Sequence, residues 1–156
     1  MPTPILLDTN ILVLVAVGLT DIRYIRRHKR LQTFDETDFQ IVCDLIDSSS
    51  GVIFSPNILT ETSNLIRYVG EPMKSEIAMT FSGMIERTEE QYIPSASAVS
   101  RSEHVRLGLA DAVLLRLAET GATLLTDDHL LYLAAASGGL NAINYNHIRE
   151  QRPDYQ

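Results

Sequence analysis

Cysteine is almost absent from the chain. Cys43 is the single cysteine among 156 residues, so an intrachain disulfide is excluded and a reducing compartment is the simpler expectation. Because Cys43 lies in a helical pattern of apolar residues, we expect a small buried hydrophobe rather than a nucleophile. The sequence also lacks the cysteine pairs and histidine-rich motifs that would indicate a zinc site.

Long hydrophobic runs are also missing. The apolar run 11–19 is too short to span a bilayer, and the N-terminus has no basic region that would indicate a signal peptide. The chain has no repeat, linker or low-complexity tract. We therefore expect a cytoplasmic protein without membrane contact, with a single domain over residues 1–150 and a frayed polar tail over residues 151–156.

Positive charge is scarce, since the net charge is −7 and the pI is about 5.0. This balance argues against a protein that coats nucleic acid by charge alone. It does not exclude a nuclease, because an active site built from carboxylates is acidic until a metal ion supplies positive charge.

The few basic residues are concentrated in one segment. Residues 23–30 contain five of the 13 lysines and arginines. One interpretation is a patch that grips a phosphate backbone, and the alternative is a solvated helix face with cations near its C-terminus. The residues of this candidate nucleic-acid-binding patch are Arg23, Arg26, Arg27, Lys29 and Arg30.

Short apolar runs alternate with helical patterns along the chain, which is typical of an α/β domain with a mainly parallel sheet. Strands are predicted at residues 4–8, 52–55, 91–94, 123–126 and 142–145. Helices are predicted within 21–30 and 36–46, from Ser55-Pro56 to a stop at Gly70, and in three later segments.

Acidic residues occur where strands end or helices begin. Asp8 ends the first strand, and Asp127 and Asp128 follow the fourth. Glu61 lies on the helix after the second strand, and Asp111 lies near the start of an apolar helix. Because the carboxyl ends of parallel strands lie at one edge of a sheet, we expect these side chains to converge.

Each acid also has a simpler interpretation. Asp8, Asp127 and Asp128 could be caps of helices or turns with no further role. Glu61 could be an exposed acid on an amphipathic helix. Asp111 could complement a helix dipole. The joint pattern favours a shared site, where carboxylates without basic partners stay ionised only beside cations. Their hard oxygen ligands favour Mg²⁺ or Mn²⁺.

The ordered motifs Leu6-Leu7-Asp8-Thr9-Asn10, Ser55-Pro56 followed by Glu61, Leu109-Ala110-Asp111-Ala112 and Leu124-Leu125-Thr126-Asp127-Asp128 extend over nearly the whole chain. In order and approximate spacing the sequence resembles the PIN-domain nucleases, including the VapC-type toxins. Two features depart from the family's pattern: the gap between Asp8 and Glu61 is longer than in its compact members, and the overall charge of the chain is acidic.

The resemblance implies a three-layer α/β/α sandwich with a central five-stranded, mainly parallel sheet. It implies an Mg²⁺- or Mn²⁺-dependent ribonuclease, with Asp8, Glu61, Asp111 and Asp128 as the catalytic, metal-binding acids. The supporting residues would be Asn10, Thr126 and Asp127. RNA is the implied substrate, and the resemblance leaves open an antitoxin partner and a homodimer.

Two other classes of function remain open. One is a catalytically silent PIN-like protein that binds RNA or serves as a scaffold. The other is a different Mg²⁺-dependent α/β domain, such as a phosphatase or a phosphotransfer receiver. Such a phosphatase usually has a second aspartate where this chain has Asn10, and a receiver needs a late lysine, whereas the only lysines are Lys29 and Lys74.

Overall fold

The fold is of the mixed α/β class, in a computed structural model that describes residues 2–155. The strands are short, and every strand pair is parallel. Their order along the chain is β1 (Ile5–Leu7), β2 (Ile53–Phe54), β3 (Glu89–Glu90), β4 (Thr123–Thr126) and β5 (Ala142–Asn144).

The strands form two small sheets rather than the single five-stranded sheet expected from the sequence. One sheet has the order β1-β4-β5, and the other pairs β2 with β3. A single parallel bridge between Ile5 and Val52 connects the two sheets, beside a 2.9 Å hydrogen bond from the Ile5 N–H to the Gly51 carbonyl. Because β2 has only two residues, it does not form a full ladder with β1.

The third strand was predicted at residues 91–94 but lies at Glu89–Glu90. Both glutamates are exposed, so this strand has no apolar run by which it could be found. The backbone alone defines it, since the Gln91 N–H also donates to the Phe54 carbonyl at 2.8 Å. The other four predicted strands are confirmed, each within one residue at both ends.

Helices connect the strands. They are α1 (Thr9–Thr20), α2 (Glu36–Asp47), α3 (Pro56–Leu65), α4 (Met73–Arg87), α5 (Ser95–Val99), α6 (His104–Leu107), α7 (Leu109–Ala118), α8 (His129–Ser137) and α9 (Tyr145–Glu150). The helix predicted within residues 21–30 is instead a pair of 3₁₀ helices, Ile22–Arg27 and Lys29–Leu31, because His28 between them has an extended backbone.

The centre of the core is α1, which is buried from Ile11 to Gly18. This explains its apolar run, which is a central helix rather than a membrane segment. Close packing of α1 against α2 requires Gly18, since a Cβ there would lie 2.2 Å from Cδ2 of the Phe39 ring. The N-terminus of α1 directly follows the end of β1, where the candidate site begins.

Within the polar tail that was expected to be frayed, Arg152 is anchored by ion pairs. The side chain of Arg152 is 7% exposed and pairs with Asp38 at 2.8 Å and with Asp35 at 2.9 Å. Asp38 is buried and also accepts a 2.6 Å hydrogen bond from the Tyr145 hydroxyl. These contacts are separated by more than a hundred residues in sequence, so local composition could not indicate them.

Candidate metal centre

Asp8 lies at the junction of β1 and α1 and is almost fully buried, with 8% exposure. One carboxylate oxygen accepts a 2.7 Å hydrogen bond from the Thr9 N–H, which makes Asp8 the N-cap of α1. The simpler interpretation of Asp8 as a cap is therefore correct, but it accounts for only one oxygen. The other oxygen faces the end of the neighbouring strand.

Thr126, the last residue of β4, connects two of the predicted acids. Its hydroxyl donates to the second Asp8 carboxylate oxygen at 2.5 Å and accepts from the Asp128 N–H at 2.9 Å. Asp128 is exposed, and one of its carboxylate oxygens caps α8 through the backbone N–H groups of Leu130 and Leu131. Thr126 thus fixes the separation of Asp8 and the Asp128 turn.

Asp111 and Glu61 come from two helices that face the same strand ends. Asp111 lies in the first turn of α7 and is partly buried, whereas Glu61 on α3 is exposed. Gly108 separates α6 from α7 with φ +97°, a conformation that few other residues adopt, and so allows α7 to begin beside the cleft.

The four predicted acids line one cleft of about 390 Å³. The structure therefore brings together residues that are spread from position 8 to position 128 of the chain. The cleft is lined by Asp8, Thr9, Asn10, Arg30, Glu61, Leu65, Leu107, Gly108, Leu109, Ala110, Asp111 and Asp128.

The electrostatics of the cleft disfavour several negative charges. Burial raises the pKa of Asp8 to about 6, against the opposing effect of the hydrogen bonds from Thr126 and Thr9. Burial, followed by repulsion from Asp8, Asp128 and Glu61, raises the pKa of Asp111 to about 7. The carboxylates therefore interact with one another, and a bound cation would lower the free energy of their ionised forms.

The donor set fits a hard divalent cation, since four carboxylates share one cleft and oxygen ligands are those that Mg²⁺ and Mn²⁺ prefer. Within residues 2–155, however, no three His, Cys, Asp or Glu side chains are arranged closely enough to hold a metal ion. Asp8, Glu61, Asp111 and Asp128 are the residues that would hold a metal ion.

Asp127 occupies a different position from the four acids. It does not line the cleft; its side chain accepts from the Asn10 amide at 3.3 Å, and its carbonyl accepts from the Asn146 amide at 2.8 Å. Asn10 thus holds Asp127 rather than one of the four acids. Asn146, in the first turn of α9, was missed in the sequence because an asparagine there is typical of an ordinary capping region.

The five basic residues of segment 23–30 differ in their contacts. Arg23 forms an ion pair with Asp21, and Arg26 lies 3.6 Å from Glu36. Arg30 lines the cleft and is exposed. Arg27 and Lys29 are exposed outside the cleft lining. Only one of the five predicted basic residues is therefore placed beside the four acids.

His28 is fully buried and uses both ring nitrogens. Nε2 is 3.0 Å from the Ile66 carbonyl, to which it donates, and Nδ1 accepts from the Arg30 N–H at 3.1 Å. Burial lowers the pKa of His28, which favours the neutral ring that this pair of bonds requires. His28 therefore joins the 3₁₀ segment to the C-terminal end of α3.

Comparisons with known proteins do not identify the chain. No family model matches the sequence, and no curated protein matches it. A solved structure described as a domain of a functionally unknown protein from Methanocaldococcus jannaschii DSM 2661 is similar, with a TM-score of 0.45 and 16% identity over 90% of this chain and 89% of that chain. This similarity is too low to carry an argument about function. No helix within residues 2–155 has the length and apolar character needed to cross a membrane.

Proposed function

We propose that the chain is an Mg²⁺- or Mn²⁺-dependent ribonuclease that hydrolyses phosphodiester bonds at the four-carboxylate cleft. The observation that carries this proposal is the convergence of Asp8, Glu61, Asp111 and Asp128 on one cleft, with repulsion among them. Because a carboxylate cluster repels a phosphodiester, an enzyme of this kind needs a divalent cation to bind its substrate.

The chain's own residues have distinct roles in this proposal. Asp8 would hold a metal ion in a fixed position, because its two oxygens are oriented by the Thr9 N–H and the Thr126 hydroxyl. Asp111 and Asp128 would complete the oxygen donor set on the facing sides of the cleft. When bound, the cation would polarise a phosphoryl oxygen and lower the pKa of water.

Glu61 is suited to a different step. Its side chain is exposed at the cleft, which leaves its carboxylate free to orient a water molecule and to accept a proton from it. A carboxylate that is buried and doubly hydrogen-bonded, such as Asp8, is less suited to proton transfer. We therefore assign water positioning to Glu61 and metal binding to the other three acids, with a second metal as the alternative role of Glu61.

Finer assignments are part of the same proposal. Membership of the PIN-domain family is supported by the parallel strand order β1-β4-β5 and the bridge to β2. A cytoplasmic location follows from the sequence composition alone. A toxin role with an antitoxin partner, and a homodimer, follow from the resemblance alone.

The deciding experiment is cleavage of labelled single-stranded RNA by the purified chain with Mg²⁺, with Mn²⁺ and with a chelator. We expect metal-dependent cleavage by the wild type and a loss of at least about a hundredfold in Asp111→Asn. Asp47→Asn is the matched control, because Asp47 is an exposed aspartate at the end of α2 outside the cleft lining. Equal cleavage by the wild type and Asp111→Asn would contradict the proposal.

A further inference from the structure

Beside the four acids, the cleft has one cationic side chain. Among its lining residues within 2–155, Arg30 alone is basic. Arg23 pairs with Asp21 and Arg26 lies near Glu36, whereas Arg30 has no ion-pair partner in the described part of the chain. A guanidinium that is exposed, unpaired and adjacent to a metal cleft is suited to bind the phosphate next to the one being cleaved.

An exposed aromatic ring lies next to this guanidinium. Tyr68 is 52% exposed, and Cζ of Arg30 lies 5.9 Å from the centre of its ring. An exposed tyrosine ring can stack on an unpaired nucleobase, because every base has a π face. A phosphate-binding cation and a stacking ring at this separation are complementary to the phosphate and the base of one nucleotide.

A buried connection holds these two side chains together. His28, which is 0% exposed, donates to the Ile66 carbonyl and accepts from the Arg30 N–H. Ile66 is two residues from Tyr68, and the Tyr68 N–H donates to the Leu65 carbonyl at 3.2 Å. The backbones that carry Arg30 and Tyr68 are therefore fixed relative to each other, which reduces the entropy lost on binding.

We propose that Arg30 and Tyr68, positioned by His28, form a subsite for one unpaired nucleotide of RNA adjacent to the scissile phosphate. This inference rests on the proposed function for its choice of RNA, and it adds that the substrate is single-stranded at the subsite. A base within a duplex cannot occupy the subsite, because a paired and stacked base cannot also stack on Tyr68.

The test measures binding without cleavage. A fluorescein-labelled single-stranded RNA of about ten nucleotides is titrated with Glu61→Gln protein, which keeps the three aspartates assigned to metal binding. The titration is done in Mg²⁺ at several KCl concentrations, and anisotropy is recorded. We expect Arg30→Gln to weaken binding about tenfold and to reduce the slope of log affinity against log salt by about 0.7. We expect Tyr68→Ala to weaken binding about tenfold with an unchanged slope, and Tyr68→Phe to bind as the parent does.

Two matched controls separate the subsite from general effects of charge and aromatic surface. Arg26→Gln removes a guanidinium that already lies near Glu36, and Tyr92→Ala removes an exposed ring outside the cleft lining. Both controls are expected to bind like the parent. The same strand annealed to its complement is expected to bind more weakly than the single strand and to be insensitive to Tyr68→Ala.

The outcomes distinguish this inference from the nuclease proposal. If wild type cleaves RNA while Arg30→Gln and Tyr68→Ala bind as the two controls do, the subsite is wrong and the nuclease stands. If wild type fails to cleave but binding depends on both residues, the subsite stands and the nuclease proposal falls. Duplex binding that equals single-strand binding, or an absence of any RNA binding, overturns the subsite.

Discussion

The Thr126 hydroxyl donates a 2.5 Å hydrogen bond to the Asp8 carboxylate, across 118 residues of sequence. The two residues end neighbouring parallel strands, since Leu7 is paired with Leu125. This bond also orients the turn that carries Asp128, because the same hydroxyl accepts from the Asp128 N–H. A single methyl-for-hydroxyl change therefore tests whether the strand ends act as one site.

Thr126→Val is expected to weaken Mn²⁺ binding by about tenfold or more, because an outer residue that orients a metal-binding carboxylate typically has an effect of this size. It should also lower the free energy of unfolding by about 1–3 kcal/mol, since the Asp128 N–H loses its acceptor and Asp8 loses a donor. Isothermal titration with Mn²⁺ and urea unfolding measure the two effects.

The matched control for that variant is Thr123→Val, on the same strand. The Thr123 hydroxyl forms a hydrogen bond with the Thr3 hydroxyl in an exposed position away from the cleft. This control should leave Mn²⁺ affinity unchanged. Equal Mn²⁺ affinities for Thr126→Val and wild type would show that Thr126 supports the fold but not the candidate metal centre.

The convergence of the acids could be predicted from the sequence because it follows from strand topology. Asp8 and Asp128 follow parallel strands, whose carboxyl ends must lie at one edge. Glu61 and Asp111 could be predicted from their places on helices that return to that edge. The resemblance to the PIN-domain nucleases also implied a supporting role for Thr126, the threonine that joins Asp8 to Asp128.

Other features depend on contacts that have no local pattern. The strand Glu89–Glu90 is polar and exposed, so hydrophobic periodicity cannot reveal it. The direction of Arg30 into the cleft depends on the extended backbone at His28, which interrupts the expected helix. The anchoring of Arg152 depends on Asp35 and Asp38 from a distant helix. Each of these features is a product of tertiary packing.

The pH dependence of stability is expected to be unusual without metal. Because the folded-state pKa of Asp111 is raised from 3.8 to about 7, the folded protein retains a proton that the unfolded chain loses. Stability should therefore fall as pH rises from about 4 to about 7 and should then level off. Asp8, with its pKa raised to about 6, contributes in the same direction.

Asp111→Asn should remove part of that dependence. In a chelator, urea unfolding at about pH 8 should show the variant to be more stable than wild type, by about 2 kcal/mol as an order of magnitude. At about pH 5 the two proteins should differ less, since Asp111 is then largely protonated in the folded state. Asp47→Asn should follow wild type at both pH values. A wild-type stability that rises steadily over this range would contradict the assigned repulsion.

A divalent cation should relieve the repulsion among the carboxylates of the cleft. At a hundredfold excess of Mn²⁺ over its Kd, ligand linkage adds about 2.7 kcal/mol to the free energy of unfolding. For a chain of this size the Tm should rise by about 5–10 °C. Differential scanning fluorimetry should show this rise for wild type and Asp47→Asn. For Asp8→Asn the rise should be absent, and an equal rise would place the bound Mn²⁺ elsewhere.

The C-terminal end should contribute to stability although its sequence is polar. Truncation after Gln151 removes Arg152 and leaves the carboxylate of Asp38, which is 1% exposed, without its closest cationic partner. We expect a loss of about 3 kcal/mol in the free energy of unfolding, because the buried Asp38 carboxylate then keeps only the longer 3.6 Å contact with Arg149 as an ion pair.

Truncation after Arg152 is the matched control, because it keeps the pair with Asp38 and loses only the exposed partner Asp154. Its stability in urea should lie within about 1 kcal/mol of that of the full chain. If the two truncated proteins unfold at the same urea concentration, Arg152 does not anchor the C-terminal end. Any stability lost relative to the full chain then comes from the residues after Arg152.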